Sequence, residues 1–534
     1  MSQIKNILKN GNFIARNLAP KFKRTDKITN KVYKEIKNYK NNINCIPAII
    51  NGHEYNTYSY NYINSPYDNK QYVSKNHDLS IDYLISSINE YKEYKKNWNE
   101  WPIEDRMEIF LKAADLLENK YYNQMLAATI YNQNKTIYEA EIDAICELVD
   151  FLRFNVYYCQ EILKKQPISP EPGIQNISEY KPLNGFICSV TPFNFTAIGG
   201  NLATLPILFG NVVYWKPSEK SLLSNLLFYN ILKEAGLPDG VVNFVPMEGE
   251  KFINTVTNHT DFGGLLYTGS SSVFDGILKK TYQNMCRYKS YPRIIGETGG
   301  KNFHFIEESM CLNDEDLDFI AQKTFESAFD FSGQKCSACS RLYFPKKYWL
   351  RFQEIMIQKY LDFKEENFNY GLIDEKSYFK TMRNLDLISS NDDNQFIFGG
   401  EGHNINNYYI KPTLVLSKNH DIFLFKQEFF APILGVYLYD SDNINITMEK
   451  CLNSGQYGLT GAIFSRNEKW IDYAKDYFSP ITGNFYINDK STGSVVGQQP
   501  FGGGLKSGTN DKAGDYNILY RLFNQRNIKV NTNI

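Results

Sequence analysis

The chain has 534 residues, of which 43% are hydrophobic and 22% are charged, and its formal net charge is -1. This composition excludes a disordered chain, and the near-neutral charge gives no reason to expect nucleic acid or an acidic membrane as a partner. The length predicts roughly two to four domains. Nine scattered cysteines without a secretory signal favour a reducing compartment with free thiols.

The first 24 residues are basic and contain neither Asp nor Glu. Ile4, Ile7 and Leu8 would share one helical face, a pattern compatible with a mitochondrial transit peptide. A basic disordered tail is the alternative, because only two arginines and one serine occur there. We expect residues 1–40 to be a leader. The expected location is the mitochondrial matrix, or the cytoplasm if this leader is not a transit peptide.

Helices are predicted for most of the stretch from Ile81 to Tyr158. Hydrophobic residues recur there at helical spacing, and one helix is expected from about Ile137 to Tyr158. Glu147 lies beside the hydrophobic stripe of that helix, where a charged residue is usually a solvated edge. Three prolines between Gln166 and Lys181 then indicate an extended excursion or an edge hairpin.

Strands and helices alternate in the next part of the chain. The predicted elements are Phe186–Val190, Ala197–Leu208, Val212–Trp215, Ser221–Ala235, Val241–Val245 and Leu265–Tyr267. Such alternation predicts a parallel sheet covered by helices, with ligands at the carboxyl ends of the strands. A second mixed region is expected from about Lys301 to Phe485.

The segment from Pro182 to Trp215 contains no charged residue, and its length would satisfy a membrane span. Prolines, glycines and asparagines interrupt it every few residues, which a single lipid-facing helix tolerates poorly. A buried strand, loop, helix and strand is therefore the preferred interpretation.

Two short segments suit the binding of a dinucleotide. The run 268–272, T-G-S-S-S, follows a strand and opens a helix, where free backbone N–H groups suit a pyrophosphate. Its spacing is not that of the usual glycine-rich fingerprint. Lys216 closes a strand at the same edge of the sheet, and Glu219 follows it. A lysine and a carboxylate there suit ribose hydroxyls, but a plain surface turn is an equal alternative.

Three polar residues suit a reacting centre. Cys336 lies in a loop of small residues, which gives a nucleophilic thiol room for an acyl group. Glu297 lies in a glycine-lined turn that suits a general base, and Asn194 ends a strand with an amide that suits an oxyanion. Taken alone, an inert core cysteine is the favoured interpretation of Cys336, and an ordinary polar turn is the favoured interpretation of Glu297 and Asn194. Cys336 and Cys339 have half-zinc spacing, but no second pair completes a metal site, so no metal is expected.

Several motifs occur together and in one order. They are T-P-F-N-F at 191–195, W-K-P-S-E at 215–219, G-E-T-G-G-K-N at 296–302, G-Q-K-C-S at 333–337, E-F-F-A-P at 428–432 and Y-G-L-T at 457–460. In this order they resemble the aldehyde dehydrogenase superfamily. The segments 301–305 and 483–501 resemble the branch that oxidises L-glutamate gamma-semialdehyde, the open form of delta-1-pyrroline-5-carboxylate. The resemblance covers roughly residues 40 to 528.

The resemblance implies an α/β fold of the aldehyde dehydrogenase type. A Rossmann-type NAD-binding domain would contain residues 41–165 and 182–300, and a smaller α/β catalytic domain would contain residues 301–495. Residues 166–181 and 507–534 would form a β oligomerisation flap. We expect a homodimer or larger homo-oligomer, without nucleic acid and without a membrane span.

The implied activity is NAD-dependent oxidation of glutamate semialdehyde to glutamate through a cysteine thioester, the second step of proline degradation. One alternative is a dehydrogenase of another small aldehyde, such as succinate semialdehyde. Others are a cysteine hydrolase that uses no cofactor and an inactive binding or structural relative.

The resemblance also assigns roles to individual residues. Cys336 would be the nucleophile, Glu297 the base that activates the hydrolytic water, and Asn194 an oxyanion donor together with the backbone N–H of Cys336. NAD would contact Thr191, Lys216, Glu219, Gly269, Ser270, Ser271, Ser272, Val273, Glu428 and Phe430. The substrate would contact Glu147, Phe195, Lys335, Ser337, Gly493, Ser494 and Phe501.

Two of these assignments carry further expectations. Glu147 would lie near the substrate amine, and Glu219 near the adenosine ribose would repel a 2′-phosphate, which predicts NAD over NADP. Ser332, Ala431 and Thr298 depart from the commoner family residues, and none of these departures removes a reacting group.

Overall fold

The computed structural model describes residues 29–41, 43–363, 371–401 and 403–533. Most of the expected leader, residues 1–28, lies outside the described residues. Among the residues that are described, no helix is long and apolar enough to cross a membrane. The uncharged segment 182–215 instead forms a strand, a helix and part of a second strand, as the interruptions in its sequence predict.

Helices surround the sheets and extend over both halves of the chain. The α-helices are Asn30–Asn41, Ile81–Asn89, Tyr91–Glu100, Ile103–Asp115, Tyr122–Gln133, Ile137–Glu141, Glu147–Lys164, Thr196–Thr204, Leu222–Ala235, Gly249–Thr257, Ser271–Gln283, Asp314–Phe329, Trp349–Asp362, Glu375–Ser389, Phe423–Lys426, Ile444–Asn453, Glu468–Tyr477 and Tyr516–Leu519. The helix expected from Ile137 to Tyr158 is interrupted by a π turn at Ile142–Cys146 and continues to Lys164. Glu147 is the first residue after that turn.

The first large sheet has seven strands. Their spatial order is Arg293–Glu297, Phe262–Thr268, Phe186–Val190, Val213–Lys216, Val242–Phe244, Ala48–Ile50 and His53–Tyr55. The first five strands are parallel, and the last two pair antiparallel at one edge. Chain order reverses between Phe186–Val190 and Phe262–Thr268, so the crevice for a ligand is expected between their carboxyl ends.

Both faces of this sheet are covered. Val213 and Trp215 pack into one hydrophobic cluster, whereas Val212 and Tyr214 pack into another on the opposite face. A parallel sheet buried on both faces reads as a continuous apolar run, which explains the uncharged strands seen in the sequence.

The second large sheet also has seven strands. Their order is Asn394–Phe398, Thr413–Ser417, Ile433–Tyr439, Cys339–Pro345, Asn302–Ile306, Thr460–Phe464 and Asn484–Ile487. All neighbours are parallel except the first pair. The predicted α/β class is therefore confirmed, with one parallel-stranded sheet in each half of the chain.

Three smaller sheets complete the described structure. One contains Asn44–Ile46, Tyr72–His77 and Tyr60–Asn64, another contains Tyr457–Gly458 and Gly504–Leu505, and the third pairs Ile174–Pro182 with Phe523–Asn531. The excursion around 166–181 thus pairs with the chain terminus and does not form a hairpin on itself.

Candidate active site

The candidate site lies where the two large sheets meet. Glu297 ends the last strand of the first sheet, and Asn302 begins the next strand, which belongs to the second sheet. Cys336 comes shortly before Cys339–Pro345, the neighbour of the Asn302 strand. The turn 298–301 therefore joins the carboxyl end of a strand of the first sheet to the amino end of a strand of the second sheet.

The predicted oxyanion donor, Asn194, reaches the loop that carries the thiol. Its side-chain amide donates to the backbone carbonyl of Gln334 at 3.0 Å, two residues before Cys336. A primary amide has two N–H groups, so a second donor remains for an oxygen in the cleft. The structure thus brings Asn194 and Cys336 together, although they lie on different sheets.

The loop before Cys336 has an unusual backbone. Phe331, Ser332 and Gly333 have φ values of +50°, +53° and +66°. A non-glycine residue held in this region costs of order 1–3 kcal/mol and persists only where its surroundings fix it. Here the N–H of Phe331 donates to Glu139 at 2.8 Å, and the side chain of Gln334 accepts from the N–H of Ile373 at 2.9 Å.

Asn302 is a positioning residue that the sequence did not single out. Its buried amide donates to the carbonyls of Cys336 at 2.8 Å and Ala338 at 2.9 Å, and its oxygen accepts from Thr460 N–H at 3.0 Å. A Cβ on Gly300 would stand 2.4 Å from the Cys336 carbonyl. Together these contacts fix the backbone direction at Cys336, the predicted nucleophile. A strand-initial asparagine carries no sequence signal for this role.

The surroundings of Cys336 favour its neutral thiol. Burial raises its pKa well above the ordinary value, and the carboxylates of Glu297 and Glu428 raise it further. The backbone N–H groups of Ser337 and Cys336 act in the opposite direction, because they favour the thiolate. Deprotonation during a reaction therefore needs a nearby base or added positive charge.

Glu297 has the properties of a general base. Burial raises its pKa to about 8, and the ammonium of Lys512 opposes that rise. Its Oε1 is buried and has no hydrogen-bond partner within the part of the chain that the structure describes. A general base is most effective when its pKa is near the working pH.

Residues 507–512 lie beside Glu297 and not with the flap strands. Thr298 N–H donates to the Ser507 carbonyl at 2.9 Å, and Gly508 forms a β-bridge with Glu297. The Lys512 ammonium donates to the carbonyls of Gly483 at 2.7 Å and Gly502 at 2.6 Å. Residues 507–534 are expected from the sequence to form part of one flap. The first residues of this segment lie at the candidate site.

The predicted ribose and nicotinamide-side residues follow the strand ends of the first sheet. Thr191 N–H donates to the Lys216 carbonyl at 3.1 Å, and the Thr191 hydroxyl accepts from Trp215 Nε1 at 3.0 Å. Burial lowers the pKa of Lys216, while Glu219 and Glu248 oppose that change. Lys216 is thus a buried lysine that interacts electrostatically with two carboxylates.

The turn 269–273 opens a helix whose first N–H groups are uncapped. Ser270 is the N-cap of the 13-residue helix Ser271–Gln283, and its side chain makes no capping hydrogen bond. Gly269 N–H donates to the Glu297 carbonyl at 3.1 Å, so this turn adjoins the predicted base. Ser272 and Val273 are exposed on its open side. Uncapped N–H groups and the positive end of the helix dipole suit a phosphate.

Glu428 and Phe430 contact two segments of the candidate site, the turn after Glu297 and the loop that carries Asn194. Glu428 Oε1 accepts from Gly300 N–H at 2.9 Å, while burial raises the pKa of this carboxyl to about 7. Phe430 packs edge-on against Phe193, with ring centroids 6.0 Å apart. Glu428 also raises the pKa of Cys336, so both lie in one electrostatic environment.

The residues predicted for the substrate amine and chain are half-buried and interact with the buried ion pair of Lys135 and Asp143. Burial and Asp143 raise the pKa of Glu147 well above its ordinary value, whereas Lys135 lowers it and Glu297 raises it. Burial alone would lower the pKa of Lys335, but Asp143 and other carboxylates outweigh that effect and raise it. The half-buried Phe195 has the Lys135 ammonium 4.8 Å from its ring centroid.

Two of the residues predicted to bind the substrate carboxylate, Ser337 and Phe501, are tied to neighbouring segments by hydrogen bonds. The Ser337 carbonyl accepts from the hydroxyls of Ser491 at 3.2 Å and Thr460 at 3.4 Å, which ties it to the segment before Gly493 and Ser494. Phe501 exchanges two backbone hydrogen bonds with Ala513, at 3.0 and 2.8 Å.

Tyr486 is a further residue near these groups that the sequence analysis missed. Burial raises its pKa to about 12, the Ser494 hydroxyl opposes the rise, and Cys336 adds to it. Tyr486 is therefore close enough to interact with both Ser494 and Cys336.

Comparison with known proteins agrees with this architecture. The profile of the "Aldehyde dehydrogenase family" matches residues 58–526. The chain is 40% identical over 494 residues to the mitochondrial delta-1-pyrroline-5-carboxylate dehydrogenase of Dictyostelium discoideum, covering 91% of this chain and 88% of that protein. It is 40% identical over 503 residues to the mitochondrial protein of that name from Homo sapiens, covering 93% and 88%.

A solved structure is similar over nearly the full length. The delta-pyrroline-5-carboxylate dehydrogenase of Mycobacterium tuberculosis bound with NAD superposes with a TM-score of 0.89 and 33% identity, covering 98% of this chain and 96% of that one. By profile, sequence identity and fold, the chain belongs to the aldehyde dehydrogenase family.

Proposed function

We propose that this protein oxidises L-glutamate gamma-semialdehyde, formed from delta-1-pyrroline-5-carboxylate, to L-glutamate with NAD as the hydride acceptor. The observation that carries the proposal is the convergence of Cys336, Glu297 and Asn194 on one loop, with Glu147 close enough to interact with Glu297. The names of the similar proteins support the substrate and the cofactor.

The proposed chemistry begins at the thiol. The Cys336 thiol releases its proton to solvent, its sulfur adds to the aldehyde carbon, and the amide of Asn194 and the N–H of Cys336 donate to the resulting oxyanion. One donor of this kind typically contributes about 3–4 kcal/mol to transition-state stabilisation. When NAD is bound, its nicotinamide accepts the hydride that the collapsing alkoxide expels. A thioester remains on Cys336.

Glu297 acts in the second half of the reaction. Its deprotonated carboxylate takes a proton from water, the water oxygen attacks the thioester carbon, and the Cys336 sulfur leaves. Division of the oxidation into these two steps replaces one difficult barrier with two lower ones. The hydrogen bond from Asn302 to the Cys336 carbonyl keeps the sulfur and the backbone N–H of Cys336 in place during both steps.

The two ends of the substrate would be recognised separately. Glu147 offers a carboxylate to the substrate ammonium, and Phe195 packs on the aliphatic chain. Ser337, Gly493 and Ser494 would hold the substrate carboxylate, with Phe501 and Lys335 at the border of the cleft. This division supports glutamate semialdehyde over succinate semialdehyde, which has no amine to pair with Glu147.

The cofactor residues form a consistent set for NAD. The uncapped helix start at 269–273 suits the pyrophosphate, the buried ammonium of Lys216 and the hydroxyl of Thr191 suit the adenosine ribose, and Glu428 with Phe430 suits the nicotinamide ribose. A cysteine hydrolase would have no use for these groups, so they favour a dehydrogenase.

The first test is NADH formation by the full chain, followed by absorbance, with L-pyrroline-5-carboxylate as substrate. We expect turnover that requires NAD and exceeds turnover of succinate semialdehyde. Rapid oxidation of succinate semialdehyde without turnover of pyrroline-5-carboxylate would overturn the substrate assignment. Hydrolysis of a substrate by the enzyme without NAD would overturn the assignment of the protein as a dehydrogenase.

Glu219 predicts the choice of cofactor. Its carboxylate lies close enough to Lys216 to oppose the lowering of the lysine pKa, at the predicted adenosine ribose. A 2′-phosphate there would meet like charge, so we expect NAD to be preferred over NADP by at least about tenfold in kcat/KM. The variant Glu219→Gln should narrow that ratio by improving NADP use. A wild-type preference for NADP would contradict the assignment.

We also propose an assembly and a location. The sheet formed by Ile174–Pro182 and Phe523–Asn531 has only two strands, and such a ribbon is marginally stable unless something packs on it. A second copy of the chain is the proposed cover, which makes a homodimer the smallest assembly. The names of eukaryotic relatives and the basic leader support the mitochondrial matrix as the location.

A further inference from the structure

Lys135 is a buried lysine to which the mechanism above gives no role. Its side chain has no exposed surface, and its ammonium forms an ion pair with Asp143, whose side chain is 5% exposed. The same ammonium lies 4.0 Å from the ring centroid of Phe331 and 4.8 Å from that of Phe195. It therefore joins three segments that border the candidate active site.

The backbone around Lys135 is fixed on both sides. Asn134 has φ +58° and ends the helix Tyr122–Gln133, while Thr136 and Glu139 form a capping box at the start of the next helix. Glu139 also accepts the N–H of Phe331 at 2.8 Å. The fixed backbone sets the direction of the Lys135 side chain, and the ion pair with Asp143 holds its ammonium in place.

Asp143 lies in the π turn Ile142–Cys146, which directly precedes Glu147. Two carboxylates four residues apart on a helix repel one another when both are charged. Asp143 accordingly disfavours the charged form of Glu147, and Lys135 favours it. π turns are frequent at functional sites, and this one sets the spacing of the two carboxylates.

We infer that Lys135 is a positioning residue for substrate recognition: by neutralising Asp143, it lets Glu147 become the carboxylate that pairs with the ammonium group of the substrate. The inference rests on the proposed function, because it assumes that the substrate carries an ammonium group. Lys135 contacts Asp143, Phe331 and Phe195 and does not touch the reacting atoms, so its effect on the substrate passes through Asp143 and Glu147.

The inference is tested with ligands that differ only in the amine. L-glutamate carries the ammonium group of the product, and glutarate has both carboxylates without it. Dissociation constants for both are measured by calorimetry on the wild-type enzyme and on Lys135→Met. We expect the wild type to prefer L-glutamate, and the variant to lose roughly 10- to 100-fold in affinity for L-glutamate, as expected for a charged hydrogen bond. Affinity for glutarate should change by less than about threefold.

The double variant Lys135→Met/Asp143→Asn separates charge from folding. It removes the lysine together with the carboxylate that the lysine neutralises, so preference for L-glutamate should return to within about fivefold of the wild type. If Lys135→Met does not fold, Lys135→Gln is measured in its place, with the same expected loss of preference for L-glutamate. Equal weakening of both ligands in the double variant, with native-like thermal unfolding, would show a merely structural role.

The outcomes distinguish the inference from the proposed function. A wild-type enzyme that shows no preference for L-glutamate and does not turn over pyrroline-5-carboxylate would overturn the proposed function. A wild-type preference that Lys135→Met leaves unchanged would overturn only the role of Lys135. In turnover assays the loss should appear in KM and not in kcat, because binding and not chemistry is affected.

Discussion

The variant Cys336→Ala is expected to lose NADH formation by a factor of at least about 10⁴, because no other group can form the thioester. The thiol lies in a loop whose backbone is held by Asn302, Gln334 and Phe331, so removal of the sulfur should leave the fold and the NAD site intact. Turnover is measured by absorbance of NADH, and NAD binding is measured in parallel by calorimetry. Unchanged NAD affinity in the variant would locate the loss in the chemistry.

A matched control is available three residues away. Cys339 is 1% exposed, and its sulfur lies 3.5 Å from the Arg341 carbonyl, inside the second sheet. The variant Cys339→Ala removes a thiol from the same neighbourhood without removing one from the cleft, and we expect turnover within about fivefold of wild type. Equal loss in both variants would argue against a specific nucleophile. Retained turnover in Cys336→Ala would refute the thioester mechanism.

Patterns in the sequence predict much of the fold because they reflect local physics. An uncharged strand, a helix closed by glycine and another uncharged strand predict a parallel sheet buried on both faces, and Val213 to Trp215 are buried in this way. The ends of such strands are where ligands bind, so Thr191, Lys216 and Gly269 follow from topology once the strands are recognised.

The sequence cannot predict features that depend on side-chain direction or on distant pairing. Glu147 looks like a solvated edge of a helix, because helical periodicity does not reveal the π turn that precedes it. Asn302 reads as an ordinary start of a strand, and Lys512 lies far along the chain from the carboxyl that it influences. Loop 507–512 reads as part of a flap until its hydrogen bonds to the turn after Glu297 are seen.

One departure from the common family residues, Ser332, has a structural cost. Ser332 adopts φ +53°, the left-handed region in which glycine is favoured, so the loop keeps its shape at an energetic cost. A Cβ on the next residue, Gly333, would stand 2.5 Å from the Ala431 carbonyl, which explains why that glycine is present. The nucleophile loop therefore keeps its geometry although one commonly glycine position is serine.

The second large effect is expected for Glu297→Gln, which should separate the two halves of the reaction. Loss of a general base typically lowers the rate of its step by 10²- to 10⁴-fold, so hydrolysis of the thioester should become rate-limiting. Hydride transfer does not need this carboxylate, and its removal even lowers the pKa of Cys336 by taking away a negative charge. We expect a burst of about one NADH per subunit, followed by slow turnover.

The pH dependence follows from the raised pKa of Glu297. The base is the deprotonated form, so its fraction increases as the pH rises through about 8. Steady-state turnover of the wild type limited by hydrolysis should therefore rise over that range, and the slow phase of Glu297→Gln should lose this dependence. Stopped-flow absorbance from pH 6.5 to 9.5 measures both phases. A wild-type profile that falls through pH 8 would contradict the role of base.

Glu428→Gln is the matched comparison for Glu297→Gln. Glu428 is also a buried carboxyl that raises the pKa of Cys336, but its Oε1 accepts from Gly300 N–H on the predicted nicotinamide side. Its loss should slow hydride transfer and weaken NAD binding, so that NADH forms in one slow phase without a burst. If Glu297→Gln also showed no burst, Glu297 would be needed before the thioester forms. The carboxyl would then act on the Cys336 thiol and not on water, because a base for water is required only after the hydride has left.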